Sequence, residues 1–368
     1  MKYYLIAGER SGDLHGARLI EEIKATDPQA EFRVWGGDLM QQAGAHLVQH
    51  YRNLSFMGFW EVLTNLWTIR GYLKQCKSDI KAFQPDVLIL IDYPGFNLRM
   101  ARFGHQQGLK VVYYISPKIW AWNRSRVHKI KRYVDELYSI LPFEPAFYDQ
   151  YQYQVKYVGN PLVTQIGDYL QKHEVSTTNH EKPLVAILPG SRRQEISKML
   201  DTMLKVVPEF PQYQFVVAGV DNIPQSFYEH ALQRSDVQVV FNQTYDLLAE
   251  ARAAVVASGT ASLETALFEV PQIVCYRTSW LTYWMVKLVI KVKYISLVNL
   301  IADRLVIPEL IQAAFTADAI TKILKDLLEQ GSAYKDQMAG YRQVKMLMGN
   351  QRASRKVAIG IKKLLSGD

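Results

Sequence analysis

The sequence predicts an α/β protein built from two doubly wound, Rossmann-like domains facing each other across a cleft. Three observations carry this. Short apolar runs alternate with amphipathic helical patterns along the chain, the alternation restarts after Pro183, and residues 171–183 (QKHEVSTTNHEKP) between the two series are almost free of apolar side chains. Buried strands alternating with helices imply parallel sheets with crossover helices. A length of 368 residues suits two domains better than one. The expected division is a first domain over 1–170, a linker over 171–183 and a second domain over 184–344.

Taken in order, the apolar run 3–7 forms the first strand, a glycine turn follows, and a helix covers 12–25. Residues 32–35, 87–91 and 111–115 are further strands. The second series places strands at 184–188, 215–218, 237–240, 254–257 and 273–276, with helices between them. Ligands of such sheets sit at the carboxyl ends of the strands.

Composition narrows the class. With 49% hydrophobic and 21% charged residues, wholesale disorder, a collagen-like fibre and a disulfide scaffold are excluded. The two cysteines, Cys76 and Cys275, lie far apart in apolar settings and read as reduced core residues of a cytoplasmic protein. No Cys/His cluster has metal-ligand spacing. The balance of 43 basic and 35 acidic residues gives +8, which favours anionic partners. The run 3–7 is too short for a secretory signal, and no uncharged apolar stretch reaches the roughly 18 residues of a membrane span.

Five turns could carry chemistry. The turn 8–16 (GERSGDLHG) matches neither G-x-G-x-x-G nor Walker A spacing, which argues against dinucleotide and ATP binding there. Its small residues, with Ser11, Gly12 and Asp13, admit a sugar or phosphate at a helix N-terminus; the alternative is a tight turn capped by Ser11 or Asp13. Asp92 ends the buried run 87–91. A carboxylate there faces a cleft or a partner, as a general base or as a cap. In 188–193 (LPGSRR), Gly190 permits close approach, Ser191 donates, and Arg192 offers a fork suited to a diphosphate, against a solvated basic turn. In 257–264 (ASGTASLE), Ser258, Gly259 and Thr260 offer amides and hydroxyls to phosphate, and Glu264 could accept from ribose hydroxyls; capping is the alternative. The stretch 115–122 (ISPKIWAW) places Trp120 and Trp122 as stacking surfaces, ahead of a basic run, 124–132, that suits a phosphate or an acidic membrane. His15 and His128 have no identifiable catalytic partner.

Two aromatic stretches suggest membrane contact: Phe59, Trp60, Leu63 and Trp67 at helical spacing, and Trp280 and Trp284 among Lys287, Lys291 and Lys293. Aromatics beside lysines fit a helix lying in the interface; core packing is the alternative.

Together these segments, with FMGFWEVL (56–63), PDVLILIDYPGFN (85–97), LPFEPAFY (141–148), VGNP (158–161) and ISLVNLIA (295–302), resemble the lipid-A-disaccharide synthase family over nearly the whole chain. The resemblance implies a GT-B glycosyltransferase. It implies joining of UDP-2,3-diacylglucosamine to 2,3-diacylglucosamine 1-phosphate, giving the β(1→6) lipid A disaccharide 1-phosphate and UDP. The family's essential aspartate falls on Asp92, its essential arginine on Arg192, and its nucleotide-contacting turn on Ser258, Gly259, Thr260 and Glu264. Many members read D-x-P-D-F-N where this chain has Gly95, so a second carboxylate is absent; many also carry a hydrophobic residue in place of His15. Inversion at the anomeric carbon implies one displacement, with Asp92 as base and Arg192 with the amides near Gly190 and Thr260 on the diphosphate. No DxD element is present, so no metal or other cofactor is expected. The fold implied would return a C-terminal helix (345–368) to the first domain. Family members can exchange C-terminal segments between subunits, which leaves room for a homodimer. The lipid substrates imply a peripheral position on an anionic surface, the cytoplasmic face of the inner membrane. Two rival classes are another GT-B sugar-nucleotide enzyme, such as a non-lipid glycosyltransferase or a UDP-sugar 2-epimerase, and a non-enzymatic basic protein that binds membrane or nucleic acid. No nucleic-acid-binding motif accompanies the basic runs, so nucleic acid is not expected as a partner.

Overall fold

A computed structural model describes residues 1–54, 66–173, 181–221, 223–280, 283 and 292–367. Contacts divide the chain into two compact units, Met1–Pro161 with Asn350–Asp368, and Leu162–Gly349.

The first unit carries a seven-stranded sheet of β1 (Lys2–Ala7), β2 (Glu31–Gly36), β3 (His46–His50), β4 (Val87–Ile91), β5 (Lys110–Tyr114), β6 (Glu136–Ser139) and β7 (Lys156–Tyr157), in the order β3-β2-β1-β4-β5-β6-β7. The second carries six strands, β8 (Leu184–Leu188), β9 (Gln214–Gly219), β10 (Val237–Phe241), β11 (Ala251–Ala257), β12 (Gln272–Tyr276) and β13 (Glu309–Ile311), ordered β10-β9-β8-β11-β12-β13. Every pairing is parallel. A parallel strand covered on both faces must be apolar throughout, and β4 (VLILI) and β8 (LVAIL) are buried at every position. Strand order reverses between β1 and β4 in one sheet and between β8 and β11 in the other. These switch points are where open α/β sheets leave a crevice.

All nine strands expected from the apolar runs are present. Four were not legible: β3 (HLVQH), β6 (ELYS), the two-residue β7 and β13 (ELI). They are short, lie toward the sheet edges and mix polar with apolar residues, so their periodicity is weak.

Two boundaries differ from the sequence expectation. The division falls at Pro161, ahead of 171–183, because the helix Pro161–Lys172 bonds to the second unit. Its Gln165 amide donates to the Tyr245 hydroxyl at 2.9 Å, and Tyr169 packs edge-on against Tyr245 and Phe268. The C-terminal helix expected within 345–368 is interrupted. One helix, Ser332–Met348, ends at Gly349 with φ 65°, and a second runs Ala353–Ser366. A positive φ favours glycine, so Gly349 marks the break. The second helix packs on Arg10–Thr26, and its Ala353, Val357, Ala358 and Ile361 join the core that holds Leu19, Ile20 and Ile23.

Cys76 and Cys275 are buried free thiols. Among the described residues no helix is long and apolar enough to cross a membrane.

Candidate active site

The first unit's site forms where the chain leaves β1 and β4. At the end of β4 the backbone turns left-handed twice, at Asp92 (φ 43°) and Tyr93 (φ 49°), and Ile115 after β5 does the same (φ 65°). Such conformations are strained for residues with a Cβ, so surrounding bonds must hold them. The fully buried Asn97 supplies one brace: its Nδ2 lies 2.8 Å from the Asp92 carbonyl, 3.2 Å from that of Ile91 and 3.3 Å from that of Ile6. The Tyr113 hydroxyl donates to the Asp92 carbonyl at 2.6 Å, and the Asp92 amide to the Tyr114 carbonyl at 3.2 Å. Burial pushes the Tyr113 hydroxyl far above its ordinary range, which keeps it a donor. The Tyr93 ring then lies over Gly8, where any Cβ would come within 2.3 Å of it.

The Asp92 carboxyl lies within the fields of Glu9, which follows β1, and Lys118, in the turn after β5. Burial, reinforced by the Glu9 charge and opposed by Lys118, raises Asp92 from 3.8 to about 6. A base near the working pH is efficient at taking a proton.

Of the other first-unit candidates, Asp13, Gly12 and Trp120 lie in buried places. Asp13 is 2% exposed, and its carboxylate accepts from the amides of Gly37 (2.7 Å), Met40 (3.1 Å) and Leu39 (3.1 Å). It caps the helix Asp38–Gln42 rather than its own helix. Gly12 is buried, with a Cβ position 3.0 Å from Ala7 Cβ, so it brings helix and strand together. Ser11 is exposed and donates to Glu9 at 2.7 Å. Trp120 is a core residue rather than an open stacking face. It is 7% exposed, stands edge-on to Phe143, and donates from Nε1 to Glu144 at 3.0 Å. Burial raises Glu144 to about 8. The Trp122 side chain lies outside the described set. His15 is half-buried next to Tyr114, and desolvation with the nearby Arg18 charge lowers it to about 4, so it stays neutral near pH 7. His128 is exposed, with its ring edge-on to Tyr151.

The second unit's candidates flank the other switch point. Gly190 follows β8 with φ 112°, and Arg192 precedes the helix Arg193–Leu204. Glu195 folds back over this turn: Oε2 accepts from the Ser191 amide and Oε1 from Arg192, both at 3.1 Å. Only glycine tolerates this, since a Cβ at position 190 would stand 2.5 Å from Glu195 Oε2. The Glu195 carboxylate thus occupies the donors that the sequence assigns to a diphosphate oxygen. Its position three residues beyond the capping residue is the one sequence signal that could have revealed it. The Arg192 side chain is 71% exposed, in keeping with a group that meets a ligand from solvent.

After β11, Ser258 is tied down: its amide donates to the Cys275 carbonyl (2.9 Å) and its hydroxyl to the Ile295 carbonyl (3.1 Å). Gly259 and Thr260 are exposed at the start of the helix Thr260–Leu267, whose first amides have no partner within the helix. Glu264 accepts from the Tyr245 hydroxyl at 3.1 Å and is raised by burial. The Ile295 turn is held in place by Glu309, which accepts from the amides of Ile295 and Ser296 and from Asn299 Nδ2. Contacts across so many residues left no mark in the sequence.

Of the membrane candidates, Phe59, Trp60, Leu63, Trp284, Lys287 and Lys291 lie outside the described residues. Trp67 is 82% exposed and Trp280 63% exposed. Core packing is therefore not the place of either.

A family model described as lipid-A-disaccharide synthetase matches residues 3–361. The chain is 36% identical over 343 residues to a lipid-A-disaccharide synthase of Coxiella burnetii (strain Dugway 5J108-111), covering 91% of each. It is 36% identical over 374 residues to that of Myxococcus xanthus (strain DK1622), covering 98% of this chain and 97% of the relative. Among solved structures, it is similar to a UDP-GlcNAc 2-epimerase from Neisseria meningitidis bound to UDP-GlcNAc, with TM-score 0.71, 12% identity and coverage of 99% and 100%. It is also similar to the glycosyltransferase of kitacinnamycin, with TM-score 0.68, 13% identity and 99% coverage of both chains. At such identities the structural likeness shows the fold alone, which is GT-B.

Proposed function

The chain belongs to the lipid-A-disaccharide synthase family, and from that premise we propose that it joins UDP-2,3-diacylglucosamine to 2,3-diacylglucosamine 1-phosphate. The coarser activity follows from the family: it is a glycosyltransferase that forms the lipid A disaccharide, with a substrate of the UDP-sugar type. Kinship with UDP-sugar epimerases rests on fold alone and does not favour epimerase chemistry.

Asp92 carries the mechanistic reading. The donor is α-linked and the product β-linked, so one in-line displacement suffices. The acceptor's 6-hydroxyl loses its proton to the Asp92 carboxylate as its oxygen bonds to the anomeric carbon, and the bond to UDP breaks with its electron pair. A carboxyl raised to about 6 is mostly ionised at neutral pH yet basic enough to share the proton in the transition state. Asn97 and Tyr113 grip the backbone of Asp92, so its side chain is aimed before substrate arrives.

Charge on the departing diphosphate is met in the second unit. Arg192 and the amide of Ser191 exchange Glu195 for the diphosphate. The open amides of Gly259 and Thr260 at a positive helix end and the close approach allowed at Gly190 add to this. Glu264 accepts from the ribose. Arginine and amides suffice as electrostatic stabilisers, and no metal is invoked. The acyl chains place both substrates in a bilayer, so the enzyme docks peripherally, with Trp67 and Trp280 among the anchoring side chains and exposed cations toward anionic lipid.

The test is mass spectrometry of the product formed from the two lipids, alongside measurement of released UDP. A disaccharide 1-phosphate in step with UDP is the expected result. Consumption of a UDP-sugar without lipid acceptor would move the chain to epimerase chemistry.

A further inference from the structure

We propose that Tyr245 is a positioning residue of the donor site: its hydroxyl, aligned by Gln165, holds the Glu264 carboxylate so that the second oxygen meets the ribose hydroxyls of a uridine nucleotide. This assignment rests on the donor-site reading above, in which Glu264 accepts from the ribose, and it names the group that aims that carboxylate.

Gln165, Tyr245 and Glu264 form one hydrogen-bonded line within the second unit. Gln165 Nε2 donates to the Tyr245 hydroxyl at 2.9 Å, and that hydroxyl donates to Glu264 Oε1 at 3.1 Å. A phenol has one proton to give. Its oxygen already accepts from the Gln165 amide, so the proton is directed to the carboxylate, and hydrogen bonds in series polarise one another. Glu264 Oε2 accepts from no group among the described residues. The protein thus engages one oxygen and leaves the other for a ligand.

Three helices supply the line. Gln165 comes from Pro161–Lys172, Tyr245 from the first turn of Thr244–Glu250, and Glu264 from Thr260–Leu267. Glu264 stands four residues after Thr260, on the same face of the helix whose open amides are assigned to the diphosphate. The Tyr245 ring is fixed from two sides. It stands edge-on to Tyr169, with ring centroids 5.4 Å apart, and tilted on Phe268 at 5.3 Å. Tyr169 comes four residues after Gln165, and Phe268 four residues after Glu264. These two outer rings also meet, at 5.8 Å. Each outer segment therefore presents a polar group and, one turn on, a ring. The rings lock together and the polar groups fall into line.

A glutamate side chain that is free to turn loses rotamer freedom when a ligand fixes it, and one already held gives up less. Tyr245 also favours the useful form of the carboxyl. Burial raises Glu264, and donation from the Tyr245 hydroxyl opposes that shift, toward the ionised carboxylate that only accepts. A nucleotide without ribose hydroxyls leaves the half-buried Oε2 unpaired, so the site rejects it.

The experiment measures binding of UDP and of 2′,3′-dideoxy-UDP to the full chain by titration calorimetry. Tyr245→Phe keeps the ring among its aromatic neighbours and removes only the hydroxyl. UDP should bind this variant roughly 10-fold more weakly, with 2′,3′-dideoxy-UDP changed by no more than about twofold. In turnover of the diacylated lipids the loss should appear in KM for the UDP-sugar rather than in kcat, because the ribose contact is alike in the ground and transition states. Gln165→Glu, whose carboxylate competes with Glu264 for the phenol proton, should also narrow the preference for UDP, and it decides the question if Tyr245→Phe does not fold. Equal losses on both nucleotides, or a preference that the variants leave unchanged, make Tyr245 merely structural and overturn the proposal while leaving the glycosyltransferase reading intact. A wild-type chain that binds the two nucleotides equally overturns the ribose reading of Glu264, and this proposal with it.

Discussion

As the proposed base, Asp92 would set activity against stability. Its carboxyl is raised from 3.8 to about 6 in the folded chain, so the folded state holds the proton more tightly than the unfolded one. Ionising it at neutral pH therefore costs about 2–3 kcal/mol of folding free energy. Asp92→Asn should remove that cost and raise the melting temperature at pH 7–8. The gain should shrink as pH falls through 6 and vanish below about 4. The same variant should lose roughly 10²–10⁴ in kcat while UDP affinity, assigned to the second unit, changes little. In the wild type, kcat/KM should fall as pH drops below about 6, because the base becomes protonated. A destabilised Asp92→Asn protein with collapsed UDP binding would make the residue structural instead. Arg192→Ala, in a folded protein, should lose about 10²–10³ in kcat; normal turnover would remove Arg192 from the mechanism. At this scale the sequence marked the places of these groups, a carboxylate closing the apolar run of β4 and an arginine in a glycine turn after β8. It was silent on the contacts that hold those groups. The brace from Tyr113 joins neighbouring strands, and the Glu195 carboxylate reaches the Ser191 amide only after the chain folds back on itself.

The elements explain why neighbouring residues in one motif take different roles. In the turn after β1, Ser11 is exposed and Glu9 half-buried, while Asp13 is turned in by the first turn of its helix. There it satisfies three amides at the start of Asp38–Gln42. Asp13→Ala should therefore destabilise the fold by about 2–4 kcal/mol, since it strands buried donors, as read from denaturant midpoints. If stability is unchanged and acceptor KM rises, Asp13 belongs to the binding surface after all. A helical repeat marks Asp13 only as a residue of a helix N-terminus. It does not show that a second helix begins beside it, because that contact spans 24 residues. The break at Gly349 is a related case. Residues 345–365 keep a helical pattern on both sides, while the non-helical residues 349–352, opening on Gly349 with its positive φ, separate a helix of the second unit from one of the first.

For the whole molecule, the two-unit plan was readable because parallel strands buried on both faces are apolar runs, and the second series of them starts afresh. The unit boundary was less so, since the helix Pro161–Lys172 precedes the polar stretch and still packs with the second unit. The membrane docking proposed above rests on surface features: a chain of charge +8 with Trp67 and Trp280 exposed. Trp67→Ser with Trp280→Ser should weaken sedimentation with anionic vesicles and slow turnover of long-chain lipids. A short-chain, water-soluble acceptor should be affected much less. Vesicle binding should also fall with salt, as charges are screened within about 8 Å at physiological ionic strength. Unchanged vesicle binding in the folded double variant would remove both tryptophans from the docking surface.

The helix Ala353–Ser366 belongs to the unit that begins at Met1, yet 188 residues of the other unit, Leu162–Gly349, are threaded between. On the ribosome the chain emerges from its N-terminus, and domains generally fold as units in that order. The first unit must then wait, with the apolar seat for Val357, Ala358 and Ile361 uncovered, while the second unit is translated and folds as one continuous piece. The earlier-made half is thus the later to mature. During that interval it is the half that exposes an apolar face to chaperones and to neighbouring nascent chains.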